Sequence, residues 1–411
     1  CQNKEDVEGN WLENVSTPSK ENTELILRHA IDSEEKINQL RDVVNAVQSN
    51  MNATITMNPQ GYEHYNAMLE NDISRGESPH IIEVIMQDQR PLIDRNGEHF
   101  IDLTDFLEES GLIHSFYSLD AFTIDGRIYG LPVRGITNNL YYNKEVVEEL
   151  GGVPTTWGEF VEIMKQANRA GYNPMVMDVD GYEYSRLLSR IVSKDKLFEL
   201  INGETNWTDD EIIQAFERIK QIAQLEIPLI EPEMEEDHSS LIFDSFVSGD
   251  TVFLYSFGYN LEDFKQMDDN IGVMSLPPVA RLEDNTPVIH GDFDEGYVFS
   301  ADISEAEEEK IYEFIEEFWK EAVMSDYNVA YGYLPALRMN AESSDRVFQD
   351  ILDLTNEAAS VYPSISSFIP LHYQIQIQIA VKKVADGEIT IMEAVEGLDE
   401  YSKEMLKAGI R

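Results

Sequence analysis

The sequence predicts an α/β protein, and three observations carry that expectation. Apolar, β-branched runs alternate with amphipathic helical patterns along the chain, and helix-start signatures recur between them. A content of 42% hydrophobic and 10% aromatic residues is enough for a large packed core. At about 150 residues per domain, the 411 residues allow two to three domains.

Residues 1–22, CQNKEDVEGNWLENVSTPSKEN, are almost wholly polar and read as a tether. TELILRHAI and NATITMNP then read as strands on either side of a helix over SEEKINQLRDVVNAVQSN, and HIIEVIMQ as a third strand after YEHYNAMLENDISRGESP. Further along, Thr156 with Glu159, Thr208 with Glu211, Ser304 with Glu307 and Thr390 with Glu393 form Thr/Ser-x-x-Glu capping boxes. In each, side chains satisfy amides that a helix start leaves bare. After the third box, Ile311, Phe314, Ile315, Phe318, Trp319 and Ala322 recur at helical spacing as one buried stripe. HYQIQIQIAVKKVADG carries two signals: its alternation favours a strand, whereas Leu371, Ile375 and Ile379 at i, i+4 and i+8 favour a helix. Its ending, with lysines in the last turn and Gly387 beyond, joins the family resemblance described below in predicting a helix over 371–384.

Composition excludes several function classes. With 78 acidic against 30 basic residues the formal charge is −48, which repels phosphate backbones and anionic headgroups and rules out nucleic acid as a partner. SLIFDSFVSGDTVFLYSFG is broken by Asp244 and Asp250 and falls short of the ~18 to 20 apolar residues that span a bilayer. Cys1 is the only cysteine, so it closes no intrachain disulfide, and no ligands surround it at metal spacing. Bacterial lipoproteins are cut immediately before such a cysteine, which then carries acyl chains, and Cys1 is accordingly expected to be the lipid attachment. A chain start set by a fragment boundary is the competing reading. GxxxxGK[ST], GxGxxG, GxSxG and HExxH are absent and the eight histidines are scattered singly, so no cofactor or metal is expected. Thiol catalysis is excluded. A glycosidase-type carboxylate pair stays open, because among 78 acids close pairs arise by chance.

One series of segments is informative through its order. GRIYGLPVRGITNNLYYNKEVVEELGGVPTTWGEFVEIMKQ is followed by SFVSGDTVFLYSFGYNLEDF, IGVMSLPPV, GYVFSADIS, YGYLPALR and VADGEITIMEAVEGLDEYSKEML. Over about residues 22–408 this resembles the extracellular family 1 sugar-binding lipoproteins of bacterial ABC transporters, of maltose and multiple-sugar type. The resemblance implies a periplasmic-binding-protein-like fold of type II: two α/β lobes, a multi-strand hinge and a ligand cleft between them. Lobe one would comprise 23–133 and 290–332, and lobe two 134–289 and 333–411. It implies a non-enzymatic role, in which an oligosaccharide favours the closed state and a permease reads it. It also implies a monomer on the extracellular face of a Gram-positive cell, held to the membrane only by its lipid.

Sugars need carboxylates, amides and arginines for their hydroxyls, and aromatic faces for their rings. Trp11 lies in the tether, Trp157 and Trp207 at helix starts and Trp319 in the core stripe, so tyrosines are expected to stack. Tyr259 in SFGYN stands where the family commonly has a tryptophan, and Asp180 and Tyr182 in VDGYEYS resemble acidic and aromatic cleft residues of maltose-type relatives. Strand ends, where open α/β sheets hold ligands, add His29, Gln87, Asp88, Asp292, Phe293 and Asp294. The crossing and the last segments add Thr137, Asn138, Tyr373 and Gln374. Structural readings compete: a core aromatic for Tyr259, an exposed loop for Asp180 and Tyr182, a structural histidine for His29. Two further functions remain open, the same fold binding an oligopeptide or polyamine, and a secreted glycoside-processing enzyme.

Overall fold

The computed structural model describes residues 23–31, 33–176, 182–225, 238–257, 264–277 and 288–407. Cys1 and its tether lie outside them. The first unit forms as the apolar patterns predict: β1 (Thr23–His29) and β2 (Ala53–Pro59) pair in parallel, and β1 also pairs with β3 (Ile81–Ile85). Parallel strands need a crossover, and the helix Glu34–Gln48 supplies it, burying Leu40, Val43, Val44 and Val47.

A short hairpin of β4 (Thr123–Ile124) and β5 (Arg127–Ile128) leads into the 14-residue β6 (Gly130–Asn143). The first part of β6 lies antiparallel to β10 (Val288–Phe299), with Gly130 opposite Val298 and Arg134 opposite Glu295, and β10 in turn pairs with β3. The last part of β6 pairs instead with β8 (Thr251–Phe257) and β9 (Ile271–Met274), and β7 (Asn173–Val176) runs parallel to β8. The sheet order is β2-β1-β3-β10-β6-β8-β7, with β9, β11 (Leu334–Pro335) and β12 (Ser360–Tyr362) attached beside it. Thus β6 and β10 run through both halves of the molecule. Where they cross, the register shifts between Asp292 and Glu295, an irregularity that bends a strand. Gly135 sits against the bulged segment; a Cβ there would come within 2.4 Å of the Phe293 ring.

Each half is covered on both faces. In the first, Leu25, Leu27, Phe314 and Trp319 pack on one side, and Leu69, Ile82, Val84 and Phe122 on the other. In the second, Phe160, Leu187, Phe216, Phe253 and Val381 form one core, and Tyr141, Phe246, Leu254 and Phe264 the other. Phe253 and Leu254 point to opposite cores, which is why strand β8 reads as an unbroken apolar run.

Four expectations are modified. Complete capping boxes form at Thr156 and Ser304, and Thr390 and Glu393 exchange the same pair of bonds. Thr208 does not cap: Asp209 does, accepting from the Glu211 amide, while Thr208 donates to Asp399. The stripe from Ile311 to Trp319 is buried, but the helix ends at Phe318, so Ala322 starts a new turn and is exposed. Residues 371–385 are helical, yet Leu371, Ile375 and Ile379 face solvent; Gln374, Ile377, Ala380, Val381 and Val384 form the buried face. Leu334, Leu337 and Met339, expected in lobe two, pack into the core of the first half, because β11 pairs with β6 at Arg134 and Gly135. The helix Arg346–Glu357 touches both halves, through Phe348 and Leu352 on one side and Val347 and Ile351 on the other.

Candidate functional site

The carboxyl ends of β1 and β3 open into a pocket of about 770 Å³, partly continuous with solvent. The chain after β1 contributes Ala30 and Ile31, the first helix Lys36 and Gln39, and the hinge strands Arg134 and Glu295. Glu83 of β3 receives the Ala30 amide at 2.7 Å, and burial pushes its carboxyl up to about 7. Arg134 is held between the rings of Tyr327 and Tyr333, at 4.9 and 4.7 Å, with its Nε 3.8 Å from Glu295 Oε2. Tyr62 stands at the lip with 52% of its surface exposed, and its hydroxyl donates to the Asp88 carboxylate. A ring tethered at its hydroxyl presents a fixed apolar face. The pocket therefore combines carboxylates, a guanidinium, amides and a tyrosine platform.

Behind the pocket the hinge strands carry a buried polar network. Asp292 accepts from the Ser364 amide and hydroxyl at 2.8 and 2.7 Å and from the Ser367 hydroxyl at 3.1 Å, and Arg186 Nη2 lies 3.8 Å away. Arg186 also donates to Asn138 Oδ1 at 2.9 Å, and Thr137 Oγ1 accepts from Asn139 at 2.9 Å. His290 joins Tyr255 and Ser364 through its two ring nitrogens, and burial lowers its pKa to about 3. Asp294 follows in the bulge; burial, then the charges of Asp292 and Glu295, push its carboxyl up to about 8.

The structure brings several predicted residues together. Thr137, Asn138 and Asp292 meet in the hinge network, where Asn138 is opposite His290 and Thr137 opposite Gly291. Gln87 reaches Gln374 of the second half at 3.5 Å, and Asp88 anchors Tyr62. Three predicted residues each lie packed within one half. His29 is fully buried and burial lowers its pKa, Phe293 packs against Tyr117 at 5.4 Å, and Tyr373 turns its hydroxyl to Trp207 Nε1 at 2.6 Å inside the second half. Tyr182 begins a helix that ends at Ile191, while Asp180 and Tyr259 lie outside the described residues. Sequence reasoning passed over Tyr62, Glu83, Arg134, Arg186 and Glu295. Two carried a signal, since Glu83 in HIIEVIMQ and Arg134 in GLPVRGI are charges set within apolar strands. Among the described residues no helix is long and apolar enough to cross a membrane, and no group of three or more His, Cys, Asp or Glu side chains could hold a metal.

Residues 42–350 match the family described as bacterial extracellular solute-binding protein. A lactose-binding protein of Rhizobium radiobacter is 28% identical over 122 residues, covering 28% of each chain. An arabinooligosaccharide-binding protein of Halalkalibacterium halodurans is 23% identical over 277 residues, covering 60% of this chain and 58% of that one. The matched part of this chain thus spans 28% and 58% of the length of these relatives. The solved structure of a family 1 extracellular solute-binding protein from Bifidobacterium longum subsp. infantis superposes with a TM-score of 0.75 at 20% identity, covering 92% of this chain and 98% of that one.

Proposed function

Because the chain belongs to the bacterial extracellular solute-binding protein family, whose members bind rather than transform their solutes, we propose that it captures an oligosaccharide by closing its two lobes and hands it to an ABC importer permease. The observation that carries the reading is the pocket at the ends of β1 and β3, where Tyr62 offers a ring face beside Glu83, Arg134, Glu295 and Gln89. Sugar hydroxyls pair with such groups and the ring stacks on the tyrosine. The relatives named for lactose and arabinooligosaccharide support a sugar as the solute.

Within this reading, lobe one comprises 23–133 and 290–332 together with the 334–339 segment that shares its core, and lobe two the remainder up to 411. Gln87, Asp88, Thr137, Asn138, Asp292, Asp294 and Gln374 line or brace the cleft between them, and Asp180, Tyr182 and Tyr259 stay candidate contacts from lobe two. No bond of the solute is broken. Cys1 carries the lipid that holds the monomer on the extracellular face of a Gram-positive membrane; Cys1→Ala precursor is expected to leave the detergent phase in such a host, and full retention would exclude the anchor.

A thermal-shift panel of mono- and oligosaccharides, with chromatography of the incubated sugars, tests the function. A true solute at 100 times its dissociation constant adds about 2.7 kcal/mol to stability. Stabilisation by a peptide or polyamine and by no sugar would reassign the solute, and appearance of cleaved sugar would make the protein an enzyme.

A further inference from the structure

Three pairs of side chains meet between the two halves. Lys194 Nζ lies 2.5 Å from Asp120 Oδ2. The Arg90 guanidinium sits over the Phe368 ring at 5.1 Å, and Gln87 donates to Gln374 at 3.5 Å. Each pair joins different cores, for Ala121 and Phe122 beside Asp120 belong to the first half, and Leu197 and Ile365 near Lys194 and Phe368 to the second.

Both sides are braced before they meet. Arg90 donates to the carbonyls of Ala121 and Thr123 at 2.6 and 2.8 Å, and the Ser118 hydroxyl donates to Asp120 at 2.8 Å, which fixes the turn that presents this carboxylate. Opposite, Phe198 packs edge-on against Phe368 at 5.1 Å. Lys194 is the first residue of the helix Lys194–Ile201, where a cation opposes the helix dipole. Its own helix gains nothing from it; its partner stands on the other half.

We propose that Lys194–Asp120, seconded by Arg90–Phe368, is a latch that holds the lobes together in the absence of solute. The closed fraction of solute-free protein then scales the affinity for whatever the cleft binds. That consequence rests on the lobe-closure reading above, whereas the latch itself is a property of the empty protein. Arg90 and Asp120 are not part of the pocket wall, so the latch tunes closure without touching the solute.

The test measures the distance distribution between dyes on one introduced, exposed cysteine in each lobe, in a Cys1→Ser background and without any sugar. Lys194→Met and Asp120→Asn are each expected to lower the closed-to-open ratio about two- to fivefold, the range of a partly exposed ion pair. The swapped pair Lys194→Asp with Asp120→Lys should restore it. Raising salt should open the wild type and leave the single variants unmoved, and melting temperatures report that both lobes stay folded. Single variants with the wild-type distribution, or a swap that fails to restore closure, would overturn the latch. Failure of the sugar reading would appear only in titrations with solute and would leave these distributions unchanged.

Discussion

Three ionisable groups near the cleft, His290 buried and Asp294 and Glu83 half-buried, make opposite demands on protons. Burial raises Asp294 to about 8 and Glu83 to about 7, so each carboxyl holds its proton more tightly folded than unfolded. Stability from such groups is full at low pH and is lost as pH rises through these values. His290, lowered to about 3 from an ordinary 6.5, acts the other way, but its effect is complete by 6.5. Between pH 6.5 and 8 the solute-free melting temperature is therefore expected to fall, and Asp294→Asn to flatten the fall; an unchanged slope in calorimetry would contradict the assignment. Asp292 has another role. Its carboxylate answers Ser364, Ser367 and Arg186 at once, so Asp292→Ala strands buried donors and is expected to cost about 3 to 5 kcal/mol in urea unfolding, whereas a loss below about 1 kcal/mol would mean that the network is slack. At this scale the sequence pointed to strand ends that adjoin the pocket, one residue away from the side chains that line it. Ala30, Gln89 and Glu295 line the pocket beside the predicted His29, Asp88 and Asp294, because neighbouring side chains face different ways and no pattern in a single chain says which faces the cleft.

Among the elements, the helix Leu371–Ala385 is the most instructive. Its apolar spacing pointed to a helix, but the face that spacing defines is exposed, at 66, 42 and 43% for Leu371, Ile375 and Ile379. The terminal signals were the sound ones, with Lys382 and Lys383 in the last turn and Gly387 beyond in the left-handed region. Ile377→Ala is expected to cost about 2 to 5 kcal/mol and Ile375→Ala under about 0.5 kcal/mol; equal losses in denaturant titrations would contradict the face assignment. Capping boxes were legible where the side chain had no better partner. Thr208 has one in Asp399, a contact 191 residues away that local pattern cannot anticipate. For Thr390, whose box forms, replacement by Ala is expected to lower stability by about 0.5 to 2 kcal/mol, and a neutral result would show that the bond is idle.

At the scale of the molecule, the proposed function relies on two long strands, β6 and β10, at the junction of the halves. β6 pairs with β10 in the first half and with β8 and β9 in the second, so the halves share a bulged crossing while each keeps its own pair of cores, the arrangement on which the proposed closure relies. The order of segments made this architecture legible, but not the sharing of the late chain, because Leu334 to Met339 join the first core only through the long-range pairing of β11. The central claim is that the pocket under Tyr62 binds a sugar. It is tested most directly by the dissociation constant of the best oligosaccharide of the panel, measured by calorimetric titration on the wild type and on Tyr62→Ala. One saturable site is expected, weakened about tenfold in the variant, since an aromatic face contributes about 1 kcal/mol or more beyond its area. Equal affinity in the two proteins, or no heat from any sugar in the panel, would contradict it.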